Sequence, residues 1–273
     1  MFEAIILGII QGLTEFIPIS SSAHLRLAGG FFPNAIDPGA MFTAITQIGT
    51  ELAVLIYFRK DIVRIITSWI ASLTDKSARN QDSRMGWLII VGSIPIVVIG
   101  YLAQDFITNE LRSLWIIASM MVIFGLLLGA ADRYGSKIKD LSQLNIKHGV
   151  LYGIAQSLAL IPGVSRSGAT IAMGRLLGYS REAALRYSFL LALPAVFGSG
   201  FYQLKSALSE DQVAVYSLPE TFVATVIAFI VGYLVIAWLL KFITTRSFAP
   251  FIIYRVVLGT VVLVLLATGV LQP

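Results

Sequence analysis

Six stretches of this chain are apolar and long enough to cross a hydrocarbon core as helices: Ala40 to Phe58, Met85 to Ala103, Leu114 to Ala131, Tyr187 to Leu204, Thr221 to Leu240 and Phe251 to Val270. A helical span takes roughly 17 to 25 residues. Charged residues make up only 13% of the 273 and apolar ones 57%, with a mean hydropathy of +0.83, whereas soluble domains carry about 25% charged residues. The chain therefore reads as an all-α integral membrane protein. It has no Cys, which excludes disulfides, thiolate catalysis and Cys-ligated metal clusters. Two His argue against a His-rich metal centre. The net charge of +5 lies in short connections between apolar spans, where the topology rule of bilayers accounts for it, so no nucleic-acid partner is expected. Met1-Phe2-Glu3 lacks a basic n-region, so no cleaved signal peptide is expected.

Two further apolar regions are interrupted. Phe2 to Gly30 contains Glu15, Pro18, three serines and His24; Gly149 to Gly178 contains Pro162, Gly163 and Arg166. Both read as re-entrant helical hairpins, which survive at membrane depth only where protein or a water-filled cavity surrounds them. Basic residues concentrate in Arg59 to Arg84 and in Asp132 to His148, while Gln104 to Ser113 and Lys205 to Glu220 hold one each. The first pair of connections is expected in the cytoplasm and the second outside.

A shift of 145 positions places Gly8-Ile-Ile-Gln11-Gly-Leu13 over Gly153-Ile-Ala-Gln156-Ser-Leu158, and Ser20-Ser-Ser22 over Ser165-Arg-Ser167. With the span parity, this predicts one membrane domain over 1–273, built as an inverted-topology repeat of six transmembrane helices and two hairpins. Repeat 1 covers about 1–135 and repeat 2 about 146–273. Hairpins entering from opposite faces would bring their tips together near the midplane.

The first tip runs from Gln11 to His24. Gln11 and Glu15 share a helical face, Pro18 disfavours helix at Ile17, and Ser20, Ser21 and Ser22 suit the start of a second half-helix, whose N–H groups favour an anion. Such serines can also serve as caps alone, and Glu15 can snorkel. An ionised side chain at bilayer depth costs at least about 2.5 kcal/mol, which favours function. The second tip, Pro162-Gly-Val-Ser-Arg-Ser-Gly-Ala-Thr170, offers hydroxyls on Ser165, Ser167 and Thr170 and the planar fork of Arg166, donors suited to phosphate. Gln47 and Glu51, one turn apart, are further candidates to line the chamber. Arg255 is expected to snorkel to the cytoplasmic interface, and His148 to be solvated.

Gln11-Gly-Leu-Thr-Glu15-Phe-Ile-Pro-Ile-Ser-Ser-Ser-Ala-His24 and Pro162 to Thr170 resemble the two signature motifs of the bacterial undecaprenyl-diphosphatase, or bacitracin-resistance, family. The likeness covers essentially the whole chain. It implies hydrolysis of undecaprenyl diphosphate to recycle the lipid carrier of peptidoglycan synthesis, in the bacterial plasma membrane, with Mg2+ or Ca2+ as cofactor. The roles it implies fall on Glu15, Ser21, His24, Ser165, Arg166 and Thr170. The family has Glu or Gln where this chain has Gln11, so Glu15 is expected to carry more of the metal binding.

On this reading Glu15, Ser21, His24 and Arg166 do the chemistry. Ser20, Ser22, Ser165, Arg166, Ser167 and Thr170 hold phosphate, and Glu15 with Gln11 holds the cation. The attacker is either the Ser21 hydroxyl or a water activated by His24 or Glu15, and His24, one turn beyond Ser21, suits a base serving that hydroxyl. The partners expected are a polyprenyl diphosphate and membrane lipids, a homodimer being compatible with both. The active site is expected on the outer face. The rival reading is a transporter or flippase of an anionic lipid; a lipid-binding scaffold is a third.

Overall fold

A computed structural model describes residues 1–32, 37–103, 106–107, 110–135, 138–208 and 215–272. Lys137, one of the basic residues of Asp132 to His148, lies outside the described residues, as do Gln104, Glu210 and Asp211. The described helices are α1 (Phe2–Thr14), α2 (Ser21–Gly29), α3 (Gly39–Tyr57), α4 (Arg59–Thr74), α5 (Gln81–Leu102), α6 (Leu114–Tyr134), α7 (Ile146–Ser157), α8 (Arg166–Leu176), α9 (Arg181–Leu208), α10 (Leu218–Thr245) and α11 (Ala249–Ala267). Among the described residues there is one isolated β-bridge and no strand.

Five of these helices, α5, α6, α9, α10 and α11, are each long and apolar enough to span a bilayer. The sixth expected span is α3, which meets α4 at an 80° bend. Helix α4 occupies a segment expected as a basic loop. Its charges Arg59, Lys60, Asp61 and Arg64 gather in the first two turns, which hides an apolar stripe of Val63, Ile66, Ile70 and Leu73, all exposed. The 3- and 4-residue spacing puts that stripe on one helix face.

Both interrupted regions are broken hairpins: α1 stops before Glu15 and α2 restarts at Ser21, while α7 stops at Ser157 and α8 restarts at Arg166. Each hairpin packs on a long helix from the other half of the chain, α1 on α10 and α7 on α5. Close approach is possible because small residues face the contact. A Cβ built on Gly8 would lie 2.6 Å from the carbonyl oxygen of Ala224, and one on Gly153 would strike the carbonyl of Gly92. Gly8 and Gly153 are related by the 145-position shift. Helices α3, α9 and α10 pack together around the hairpins, and α6 pairs with α11.

Candidate active site

Each hairpin resumes its helix through a serine with positive φ: Ser20 at φ 76° and Ser165 at φ 71°. These equivalent positions are the only non-glycine residues of that kind among the described residues. Such a backbone costs on the order of 1–3 kcal/mol, and strain of this sort gathers at functional sites. In each tip the serine hydroxyl accepts the N–H of the third residue on, Ala23 at 3.4 Å and Gly168 at 3.2 Å. It also contacts the serine two residues on, Ser22 or Ser167, at 3.2 Å. The first N–H groups of α2 and α8 have no intrahelical acceptor, so each tip presents the anion-favouring end of a helix.

The two tips meet. Arg166 Nη2 donates to Glu15 Oε1 at 2.7 Å and to Glu51 Oε1 at 2.5 Å. Glu51 is fully buried, and the side chain of Arg166 is only 14% exposed. Glu15 Oε2 accepts from Gln11 Nε2 at 2.7 Å, from the Ser21 hydroxyl at 2.6 Å and from Gln47 Nε2 at 3.4 Å. The backbones are tied as well: Gly163 N–H donates to Ser22 Oγ at 3.4 Å, and Ser167 Oγ donates to the carbonyl of Glu15 at 3.4 Å. Thr170 is buried, bonded to the Arg166 carbonyl at 2.7 Å and to Ser188 Oγ at 2.5 Å, so it braces the turn that carries Arg166.

His24 takes a different partner from the one its spacing suggested. Its Nδ1 bonds the Ser20 carbonyl at 2.7 Å and its Nε2 bonds the Tyr254 hydroxyl at 2.8 Å, while Ser21 bonds Glu15. A carbonyl only accepts, so the neutral ring carries its proton on Nδ1 and offers the Nε2 lone pair.

Arg255 does not snorkel. It is fully buried and donates to the carbonyls of Met121 (3.0 Å), Pro18 (3.1 Å), Gly163 (2.8 Å) and Val164 (3.0 Å). Pro18 belongs to the first tip and Gly163 and Val164 to the second, so one guanidinium clasps both. Its five fixed donors suit such a cluster of backbone acceptors. Nor is His148 fully solvated: its Nδ1 bonds the Tyr179 hydroxyl at 2.6 Å. A lone Arg in an apolar helix is equally consistent with either position by sequence, because its acceptors are backbone atoms far along the chain.

Gln11 Oε1 and Glu51 Oε2 are buried without a hydrogen-bond partner. Gln11 bonds Glu15 through its amide nitrogen and Glu51 shares Arg166 with Glu15, and oxygens of this chemistry are the hard donors that Mg2+ and Ca2+ use. Among the described residues no group of three His, Cys, Asp or Glu could hold a metal, so such a cation would complete its shell with amide, water or phosphate oxygens.

A family model described as "Bacitracin resistance protein BacA" matches residues 4–261. A protein of Paenarthrobacter aurescens (strain TC1) called "Undecaprenyl-diphosphatase" is 61% identical over 272 residues, covering 99% of this chain and 98% of its own. One of Pseudarthrobacter chlorophenolicus with the same name is 60% identical over 273 residues, covering 99% of each chain. A third, from Micrococcus luteus, is 60% identical over 272 residues, covering 99% of this chain and 98% of its own. With the family model matched over nearly its whole length, the chain belongs to the bacitracin resistance protein BacA family.

Proposed function

We propose that this protein hydrolyses undecaprenyl diphosphate to undecaprenyl phosphate and inorganic phosphate, recycling the lipid carrier of envelope polymer synthesis. The observation that carries the reading is the Ser21–Glu15–Arg166 chain: a hydroxyl bonded to a carboxylate that is itself bonded to an arginine from the opposite tip. Membership of the family and the names of the relatives support it.

Arg166 leaves its two carboxylates for the oxygens of the incoming diphosphate, exchanging one set of charge-assisted bonds for another. The helix starts at Ser20 and Ser165, with the hydroxyls of Ser22 and Ser167, complete the anion cradle. Thr170 acts from behind, holding the Arg166 turn. The Ser21 hydroxyl attacks the terminal phosphorus in line while Glu15 Oε2 takes its proton. The bond from that phosphorus to the bridging oxygen breaks, and undecaprenyl phosphate leaves with the electron pair. Water then attacks the phosphoseryl group. His24 Nε2, giving up its bond from the Tyr254 hydroxyl, removes the water's proton, and Ser21 recovers its own from Glu15 as its oxygen leaves. A divalent cation, Mg2+ or Ca2+, would be held by Glu15, Gln11 Oε1 and Glu51 Oε2, and when bound supplies charge neutralisation to the diphosphate.

We place the site toward the outer face of the plasma membrane. The crowding of Lys and Arg into Arg59 to Arg84 and Asp132 to His148 supports this orientation. Transport without hydrolysis would leave the Ser21–Glu15 pair without a task. The test is phosphate release by purified protein in detergent given undecaprenyl diphosphate with Mg2+ or Ca2+. Release is expected from the wild type and is expected to be lost in Glu15→Ala and Arg166→Ala; unchanged release in both variants would overturn the site.

A further inference from the structure

Away from the tips, a cavity of about 1060 Å³ opens where the end of α4, the start of α5 and the start of α7 come together. Arg79, Arg84 and Lys147 line it and no Asp or Glu does. None of the three has an ion-pair partner among the described residues; the nearby acid Asp82 is engaged by Arg64 at 2.7 Å, and Arg84 donates only to the carbonyl of Ser142. The N-caps of α5 and α7, Asn80 and Asn145, also line the cavity, so two helix starts add their partial positive charge to three unpaired cations.

The remaining wall is apolar. Leu73 ends the exposed stripe of α4, and Trp87 begins an exposed stripe on α5 that continues through Ile90, Ile94 and Val97. That spacing keeps the second stripe on one face as it runs from the cavity along a helix apolar enough to span the bilayer. A cationic mouth joined to a lengthwise apolar track has the shape of a phospholipid: phosphate at one end, acyl chain along the other.

We propose that this cavity is a binding site for an anionic phospholipid, its phosphate held by Arg79, Arg84 and Lys147 and its acyl chain laid along the Trp87 face of α5. The preference for an anionic lipid follows from three unpaired cations with no acid among the lining residues. A zwitterionic lipid would bring an ammonium into that field. The 80° bend between α3 and α4 turns the apolar stripe of α4 across the direction of α3, and an amphipathic helix so placed suits the headgroup boundary. The site shares no residue with the hairpin tips.

The experiment measures retention of phosphatidylglycerol against phosphatidylcholine by native mass spectrometry on protein purified from detergent containing both. Phosphatidylglycerol is expected to be retained in preference, and each of Arg79→Ala, Arg84→Ala and Lys147→Ala is expected to weaken its binding about fivefold, as for one basic residue at a charged lipid surface. The triple variant is expected to lose the preference while its phosphatase activity in phosphatidylcholine stays at the wild-type level, which shows that it is folded. Equal retention of both lipids by the wild type, or an undiminished preference in the triple variant, would overturn the proposal. So would displacement of the lipid by millimolar inorganic phosphate, since that would mean the cavity reads free phosphate and not a lipid.

Discussion

Arg166 and Glu15 lie 151 positions apart in the chain and 2.7 Å apart in space, and the same guanidinium nitrogen reaches Glu51. One cation thus offsets two buried carboxylates. Arg166→Ala leaves both uncompensated and is expected to cost about 3–5 kcal/mol of stability, the usual penalty for breaking a buried pair from one side. Adding Glu51→Gln to Arg166→Ala is expected to recover part of that loss in thermal melts in detergent. Activity stays lost in the double variant, because the phosphate has no arginine to meet.

The assignment of Glu15 to Ser21 and of His24 to water separates the two half-reactions. With labelled substrate, Ser21→Ala is expected to trap no phosphoprotein. His24→Ala is expected to accumulate it, with steady-state turnover reduced about 10²- to 10⁴-fold, the range for loss of a general base. Label retained on Ser21→Ala would move the nucleophile elsewhere.

Arg255 bonds four backbone carbonyls, Pro18 of the first tip, Gly163 and Val164 of the second and Met121 of α6, and so joins the two tips. Arg255→Met is expected to lower the melting temperature and to reduce kcat with little change in KM, since the substrate-binding side chains remain while their alignment loosens. Arg255→Lys, which keeps the charge but not the planar fork, is expected to recover only part of either.

Gly153 faces the carbonyl of Gly92 so closely that an added methyl must displace backbone. Gly153→Ala is therefore expected to destabilise by about 1–3 kcal/mol through overpacking. Gly198, whose Cβ position is open, is the control: Gly198→Ala is expected to leave the melt unchanged or raise it slightly.

At the end of the first hairpin's connection to α3, Asp37 is held by two bonds from Arg112, at 2.8 and 2.6 Å. Burial pushes its pKa up, but the Arg112 bonds and the charges of Arg112 and Arg26 outweigh that and hold the carboxyl below its ordinary value. A depressed folded-state pKa gives stability that is complete above the unfolded value, about 3.9, and is lost as pH falls through the lower folded value. Melts of the wild type taken downward through that range are expected to decline more steeply than those of Arg112→Gln.

The apolar spans and both tip motifs were legible because they are local: a run of apolar side chains, a proline that stops a helix, a serine that starts one. The convergence of Glu15 with Gln11 follows from one helical turn. What stayed hidden depends on partners remote in sequence. Arg255 finds carbonyls on two tips, His24 finds Tyr254, and Glu51 shares the cation of a segment more than a hundred positions away. Helix α4 was missed for another reason, since four charges in its opening turns mask the stripe behind them.

Because α1 rests on α10 and α7 on α5, a growing chain leaves its first hairpin without a seat until nearly all of the sequence has emerged from the ribosome. The earliest synthesised functional residues must wait in the insertion machinery or among lipids for the last quarter of the protein. A nascent chain stopped before α10 therefore holds every side chain of both tips while its first hairpin still lacks the helix it packs on.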